Sequence, residues 1–322
     1  MRTRLTELLG IEHPVMLAGM GGVSYHRVVA AVSDAGGFGT LGAATMGSDE
    51  MVDEMRRVRE LTAKPFGVDL LAALPERMID DIDRVVRGGA TLFVAGLGVP
   101  RDVVQACHDG SVLVASMCGK VRHAVAAVEA GCDLVIAQGT EAGGHTGTVA
   151  TMPLVPQIVD AVSGRVPVVA AGGIYDGRGL AAALGLGADG VWIGTRFIAT
   201  PEARTVAGYK DALLRTPEDG TVISRGFTGK TLRAVRNRWT QHVEEHPEEL
   251  RAFPEQMLRA IEAGALHLGG DESADVDPEL ECYPAGQGVG AIGEVVPAGE
   301  LVARIVADAE ANLARLADLV GP

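Results

Sequence analysis

One histidine lies in a glycine-rich stretch of the chain. Residues 138–147 read QGTEAGGHTG, so glycines flank His145 on both sides. An imidazole has an unperturbed pKa of about 6.5 and can accept or donate a proton at neutral pH. Neighbouring glycines let the backbone pass close to a flat ligand. The stretch predicts that His145 acts on a bound ligand; the alternative is a purely structural histidine.

Glycines also follow two later apolar runs. Residues 170–174 read AAGGI, and residues 193–196 read IGTR. The backbone N–H groups of such glycines can approach phosphate oxygens closely, and a helix that follows Gly173 would direct the positive end of its dipole toward the same place. The two loops together predict a phosphate site. The alternative is that the glycines only make tight turns.

Two other patterns fit known chemistry less well. Residues 226–231 resemble the end of a P-loop, but Ser224 stands where that loop requires its first glycine. His242 and His246 are four residues apart, as in a zinc protease, but the glutamate that should follow the first histidine is missing. We therefore expect no metal site and assign no phosphate to residues 226–231.

The elements that must position these residues alternate along the first two thirds of the chain. Short runs rich in Val, Ile and Leu are separated by segments with apolar residues at helical spacing, which indicates a parallel sheet with helices outside. Eight such units predict a (β/α)₈ TIM barrel, whose active site lies at the carboxyl ends of the strands. A doubly wound sheet is the alternative, but no nucleotide fingerprint follows the first run. The runs are residues 15–20, 38–43, 66–71, 91–97, 111–117, 133–139, 166–173 and 190–197.

A long polar segment follows the eighth run. Residues 204–284 are predicted to form a mostly helical lid or subdomain, because so long a segment is unusual for a loop. Residues 1–203 and 285–322 are then assigned to the barrel, and an amphipathic helix over residues 297–319 is expected to be its last helix.

Composition excludes several classes of function. The chain has 322 residues, a formal charge of −14 from 28 basic and 42 acidic residues, and 43 glycines. Such a charge does not favour nucleic acid or an anionic membrane surface, and no apolar stretch is long enough to cross a membrane. We expect a cytoplasmic enzyme that acts on a small molecule, with reduced, packed cysteines. The cysteines are Cys107, Cys118, Cys132 and Cys282.

These motifs together resemble the FMN-dependent nitronate monooxygenase family, which includes the FMN-dependent enoyl-ACP reductases. The resemblance depends mainly on residues 141–147, 167–174 and 194–197, and it extends over almost the whole chain. It implies a TIM barrel that holds FMN non-covalently, with His145 as the catalytic histidine. The implied cofactor-binding residues are Gly19, Met20, Gly21, Asp69, Met117, Gln138, Gly143, Gly144, Ala171, Gly172, Gly173, Gly194 and Thr195.

The chain departs from the family pattern at two of these positions. Asp69 stands where the family usually has Asn, and a carboxylate beside a flavin would oppose its reduction unless the carboxylate is protonated or paired. Met117 stands where some members have a basic residue, for which Lys120 is a candidate replacement.

The resemblance implies a reaction as well. The expected activity is the oxidation of alkyl nitronates with oxygen to a carbonyl compound and nitrite. An NAD(P)H-dependent FMN reductase of enoyl thioesters or quinones is the alternative, and a non-catalytic flavin-binding protein is a third interpretation. A homodimer is compatible with all three.

Overall fold

A sheet of eight parallel strands forms the centre of the molecule. The computed structural model describes residues 1–71, 75–96 and 98–319. Around the sheet its strands follow the order β1, β9, β8, β6, β5, β4, β3, β2. They are β1 (Val15–Leu17), β2 (Gly39–Gly42), β3 (Phe66–Leu71), β4 (Leu92–Gly96), β5 (Leu113–Cys118), β6 (Leu134–Gln138), β8 (Val168–Ala171) and β9 (Gly190–Ile193). A second, antiparallel sheet contains β7 (Gly144–His145), β10 (Thr221–Ser224) and β11 (Leu232–Val235).

Hydrogen bonds between β1 and the chain just before β2 close the large sheet into a barrel. Leu17 N donates to Phe38 O and Phe38 N donates to Val15 O, both at 2.9 Å. Each of the eight predicted runs overlaps one strand, so the (β/α)₈ prediction is confirmed. The last run was predicted too long, because residues 195–198 turn into a short helix directly after Gly194.

Helices surround the barrel and connect its strands. They are α1 (Arg4–Leu9), α2 (His26–Asp34), α3 (Ser48–Leu61), α4 (Pro75–Arg87), α5 (Arg101–Asp109), α6 (Val121–Ala130), α7 (Thr151–Val162), α8 (Gly177–Gly185), α9 (Thr195–Ile198), α10 (Tyr209–Arg215), α11 (Arg238–Glu245), α12 (Glu255–Glu262) and α13 (Ala298–Asp318). Among the described residues, we find no helix with the length and apolar character needed to cross a membrane.

Side chains along each strand point alternately into the barrel and toward the surrounding helices, so the core has an inner and an outer apolar layer. In β4, Leu92 and Val94 pack inside the barrel, whereas Phe93 and Ala95 pack against the surrounding helices. This is the period of two expected of a strand, and it explains why the runs are apolar on both faces. Leu5 of α1 belongs to the inner layer and closes the amino-terminal end of the barrel. The carboxyl ends of the strands are therefore left to form a cavity.

The predicted last helix is confirmed as α13, which packs against α8 and α2. The crossing with α8 is very close at Gly177. A side-chain carbon there would lie only 2.3 Å from the backbone N of Ala309 and 2.4 Å from the O of Ile305. Glycine at this position therefore lets the two helices touch through their backbones.

The segment of residues 204–284 contains more than helices. It includes α10, α11 and α12, but β10 and β11 form an antiparallel hairpin within it, and β11 also pairs with β7 through Leu232 and His145. Part of the segment has an apolar cluster of its own. We propose residues 204–284 as a subdomain on this basis, and residues 1–203 with 285–322 as the barrel.

Candidate active site

A cavity opens at the carboxyl ends of the barrel strands. Its volume is about 1160 Å³, slightly above the range for small-molecule sites, about 300–1,000 Å³. The structure brings all the predicted site residues together there. The lining includes Gly19, Met20, Gly21, Asp69, Met117, Gln138, Gly143, Gly144, His145, Ala171, Gly172, Gly173, Gly194 and Thr195.

The strand positions explain why several of these side chains reach the cavity. In β3, Val68 and Leu70 pack outward against the helices, so Asp69 between them points inward. Met117 in β5 and Ala171 in β8 occupy corresponding inward positions. All three stand close to the carboxyl ends of their strands, where a barrel places its functional groups.

Gly172 and Gly173 form a turn with free backbone donors. Their φ angles are 99° and 73°, and neither N–H group donates a hydrogen bond to another described residue. A side-chain carbon at Gly172 would lie 2.9 Å from both Gly139 O and Thr151 Oγ1. Successive exposed N–H groups in such a turn are an anion-binding arrangement. The turn therefore fits a phosphate group.

The opposite side of this turn is closed by residues 285–287. Gly286 N donates to Thr195 Oγ1 at 2.9 Å, and Gln287 N donates to Glu141 O at 2.9 Å. A side-chain carbon at Gly143 would lie 2.7 Å from the carbonyl carbon of Ala285. Glycine at residue 143 is therefore required for the close approach of two backbone segments.

The predicted contribution of the next helix to the phosphate site stays a prediction. α8 begins only at Gly177, and the Asp176 side chain accepts a hydrogen bond from Gly179 N at 3.0 Å. A carboxylate therefore already occupies the positive end of this helix. The donors available to an anion are the N–H groups of Gly172 and Gly173.

His145 is held over the cavity by the hairpin of the long insertion. Its Nε2 lies 2.9 Å from Thr228 Oγ1, and its carbonyl oxygen accepts a hydrogen bond of 3.0 Å from Gln138 Nε2. His145 keeps access to solvent through the cavity, but partial desolvation by the cavity walls and, to a smaller extent, the nearby cation of Lys230 lower its pKa. The imidazole is consequently neutral at pH 7.

Thr228 and Lys230 line the cavity and were not found from the sequence. They belong to the glycine-containing stretch that resembles the end of a P-loop, which in fact connects β10 to β11. The Lys230 ammonium lies 4.3 Å from the centre of the Phe253 ring. Thr228 is 83 residues from His145, so only the pairing of β11 with β7 brings the two together.

Asp69 faces the cavity and has no hydrogen-bond partner among the described residues. It packs closely on the first strand's loop, since a side-chain carbon at Gly19 would lie 2.2 Å from Asp69 Cβ. Burial raises the pKa of Asp69 to about 8. At neutral pH the group is a carboxylic acid that can donate a hydrogen bond. Of the two conditions named from the sequence, protonation or pairing, the raised pKa favours protonation.

The cysteines do not contribute a reactive thiol to the cavity wall. Cys282 lines the cavity, but burial raises the pKa of its thiol well above the usual value. Cys118 at the end of β5 is buried, and burial raises the pKa of its thiol to about 12. The thiols of Cys107 and Cys132 have their pKa raised to about 12 in the same way. Thiols that stay protonated are weak nucleophiles and weak ligands, which agrees with a packing role.

The fold is an eight-stranded barrel whose cavity has free backbone donors at one turn and an imidazole above it. This arrangement is typical of barrel enzymes that act on small molecules. A family model described as nitronate monooxygenase matches residues 2–308, so the chain belongs to the nitronate monooxygenase family. It is therefore an oxidoreductase of a flavoenzyme family.

Individual relatives cover most of the chain. A (3aS,4S,5R,7aS)-5-hydroxy-7a-methyl-1-oxo-octahydro-1H-indene-4-carboxyl-CoA dehydrogenase of Mycobacterium tuberculosis is 40% identical over 245 residues, which is 76% of this chain and 69% of the relative. The solved structure of FabK from Thermotoga maritima has a TM-score of 0.89 and 31% identity over 99% of both chains. A nitroalkane oxidase from Streptomyces ansochromogenes has a TM-score of 0.82 and 30% identity over 97% of this chain and 100% of the other.

Proposed function

We propose that this protein is an FMN-dependent oxidoreductase that oxidises alkyl nitronates with oxygen to a carbonyl compound and nitrite. The observation that carries the proposal is the cavity wall formed by His145 and Lys230. A nitronate is an anion, and this wall offers it a cation beside a neutral imidazole whose pKa is lowered. Membership in the nitronate monooxygenase family supports the same assignment.

The residues present fit FMN. The free N–H groups of Gly172 and Gly173, with the Thr195 loop opposite, would hold its phosphate, because successive N–H groups without a partner bind anions. The loop of Gly19 to Gly21 and the backbone at Gly143 would lie against its ring system. Bound FMN would supply electron transfer and the reaction with oxygen.

Three side chains of the chain have roles in the proposed reaction. Lys230 attracts the nitronate and orients its oxygens. His145 hydrogen-bonds to the bound substrate without adding charge. Asp69 adds no negative charge that would repel an anion, because its pKa of about 8 keeps it protonated at neutral pH.

Oxygen uptake and nitrite release test the substrate. FMN-loaded protein supplied with ethyl nitronate should consume oxygen and release nitrite, and His145→Ala should lower kcat about 100-fold. Lys230→Met should raise KM about tenfold, equivalent to about 1.4 kcal/mol, because the substrate loses its cation. Lys64→Met is the control, since Lys64 pairs with Glu12 on the surface. A wild-type protein that binds FMN and forms no nitrite contradicts the proposal.

Fluorescence titration of the FMN-free protein tests the cofactor site. Gly172→Ala should weaken FMN binding at least tenfold, because its side chain would lie 2.9 Å from Gly139 O and Thr151 Oγ1 and the turn would have to shift. Gly10→Ala is a matched control: Gly10 also has a positive φ, 66°, but an added carbon there meets no atom within 4 Å. Equal FMN affinity in the two variants would exclude the turn as the phosphate site.

The cavity volume favours a second candidate, the reduction of an enoyl thioester. About 1160 Å³ leaves room for FMN and a bulky substrate together, and the relative from Mycobacterium tuberculosis is described as a dehydrogenase of a carboxyl-CoA compound. Anaerobic mixing separates the candidates. Bleaching of the flavin by NADH or NADPH supports the reductase, and bleaching only by a nitronate supports the monooxygenase.

A further inference from the structure

Two apolar side chains of the insertion line the cavity beside Lys230. They are Phe253, which lies just before α12, and Met257, which lies in the first turn of that helix. We propose that these two side chains bind the hydrocarbon group of the substrate, so that the enzyme prefers nitronates with a long alkyl or an aryl group. The inference rests on the proposed function and names the substrate class within it.

This apolar wall, Phe253 with Met257, begins directly at the cation. The Lys230 ammonium lies 4.3 Å from the centre of the Phe253 ring. Lys230 N donates to Thr228 Oγ1 at 3.3 Å, and the same hydroxyl oxygen lies 2.9 Å from His145 Nε2. One hydroxyl group thus joins the imidazole to the loop that carries the cation. A hydrocarbon group attached to an anion at Lys230 would therefore lie within reach of the Phe253 ring.

The side chains of the apolar wall are not covered by the rest of the described chain. Phe253 is 42% exposed, and Met257 is only partly buried. Exposed apolar surface in a cavity marks a site for an apolar ligand group, because removal of that surface from water is favourable. The flexible methionine adapts to different hydrocarbon shapes. The wall therefore suits both alkyl and aryl groups.

The backbone that carries the apolar wall is fixed to the loop that carries Lys230. A side-chain carbon at Gly229 would lie only 2.6 Å from Phe253 N, so the two backbones are in direct contact. Gln256 of α12 is buried, and its Nε2 donates to Gly226 O at 2.7 Å. Gly226 belongs to the same connection between β10 and β11 as Lys230. The spacing between cation and wall is thus set before a ligand binds, which reduces the cost of binding.

The cation and the apolar wall together specify an amphiphilic ligand. The planar anionic group of a nitronate would pair with Lys230, and its hydrocarbon group would cover Phe253 and then Met257. A two-carbon nitronate would pair with the cation but leave most of the wall in water. A neutral hydrocarbon would cover the wall but leave the cation without a partner. A nitronate with a longer hydrocarbon group satisfies both.

Oxygen uptake with a series of nitronates tests the apolar wall. For wild-type protein, kcat/KM should rise at least tenfold from ethyl to hexyl nitronate, because each CH₂ group that leaves water contributes about fourfold, equivalent to about 0.8 kcal/mol. Phe253→Ala and Met257→Ala should each lower the ratio of the two kcat/KM values at least fivefold. The ratio does not depend on how much of a variant is correctly folded.

Leu258→Ala is the matched control for these variants. Leu258 belongs to the same helix and is 54% exposed, but it is not among the described residues that line the cavity. Its ratio should equal that of wild type. Equal kcat/KM values for ethyl and hexyl nitronate in wild-type protein overturn the proposal, as does a wild-type ratio in both Phe253→Ala and Met257→Ala.

Binding of carboxylates separates the apolar wall from the proposed function. A carboxylate offers Lys230 a planar pair of oxygens but cannot release nitrite. In calorimetric titrations of FMN-loaded protein, Kd for heptanoate should be at least tenfold lower than for propanoate, and Phe253→Ala should remove most of this difference. If wild-type protein shows the difference but oxidises no nitronate, the proposed function fails and the wall assignment stands. If it oxidises ethyl nitronate and favours the longer chain in neither experiment, the proposed function stands and the wall assignment fails.

Discussion

Asp69 and His145, the two ionisable groups at the centre of the cavity, are both uncharged at neutral pH, for opposite reasons. Burial raises the pKa of the carboxyl group to about 8, whereas burial and a nearby cation lower the pKa of the imidazole. The positive charge of Lys230 is then not opposed by either of them. This part of the cavity wall therefore favours an anionic ligand although the whole chain carries −14.

Asp69→Asn should stabilise the FMN-free protein increasingly as the pH rises. The pKa of Asp69 is about 8 in the folded chain and about 3.9 in an unfolded one. Between these values the folded state binds more protons than the unfolded state, so the free energy of unfolding of wild type falls with rising pH. Asparagine does not titrate, so the advantage of the variant should grow by about 1 kcal/mol per pH unit between about pH 5 and pH 7.

Urea unfolding at several pH values measures this difference. Asp211→Asn serves as the control, because Asp211 is exposed on α10 and should show no growing advantage. A difference between Asp69→Asn and wild type that does not change with pH would mean that Asp69 is ionised in the folded protein.

The barrel elements could be predicted from the sequence, and the hairpin that completes the site could not. Strands such as β4 are apolar on both faces because they lie between the barrel interior and the helices, and that pattern is local. β10 and β11 are four residues each and lie in a polar segment, so their sequence does not separate them from loops. Thr228, Lys230, His267 and Glu281 belong to this segment and line the cavity. They reach it only because the segment packs against the barrel.

At the level of helix packing, Gly177→Ala should destabilise the protein by about 3 kcal/mol, the usual upper range for overpacking. The added carbon would lie 2.3 Å from a backbone atom of α13, so the two helices must separate. Gly185→Ala at the other end of α8 is the matched control, because nothing lies within 4 Å of an added carbon. The control should be neutral or up to about 1 kcal/mol more stable. Equal unfolding free energies in denaturant would disprove the close crossing.

For the molecule as a whole, the long insertion separates the barrel from its last helix in sequence but not in space. The chain passes from β9 into α9, continues through the insertion, and returns at residues 285–287 beside Thr195. The same return places Gly286 at the edge of the cavity and leads into α13, which packs on α8 and α2. Completion of the barrel and completion of the site therefore depend on the same segment.

Removal of α13 should prevent the chain from folding cooperatively. Leu301, Val302, Ile305 and Val306 are buried in the core, and burial of each contributes about 1.5–3 kcal/mol. Their sum, on the order of 10 kcal/mol, is comparable to the whole stability of a typical domain, about 5–15 kcal/mol. A chain that ends at Pro297 should show no sigmoidal unfolding by circular dichroism, whereas one that ends at Leu313 should unfold like wild type, because the described residues 314–319 are exposed. Cooperative unfolding of the shorter chain would show that the barrel closes without its eighth helix.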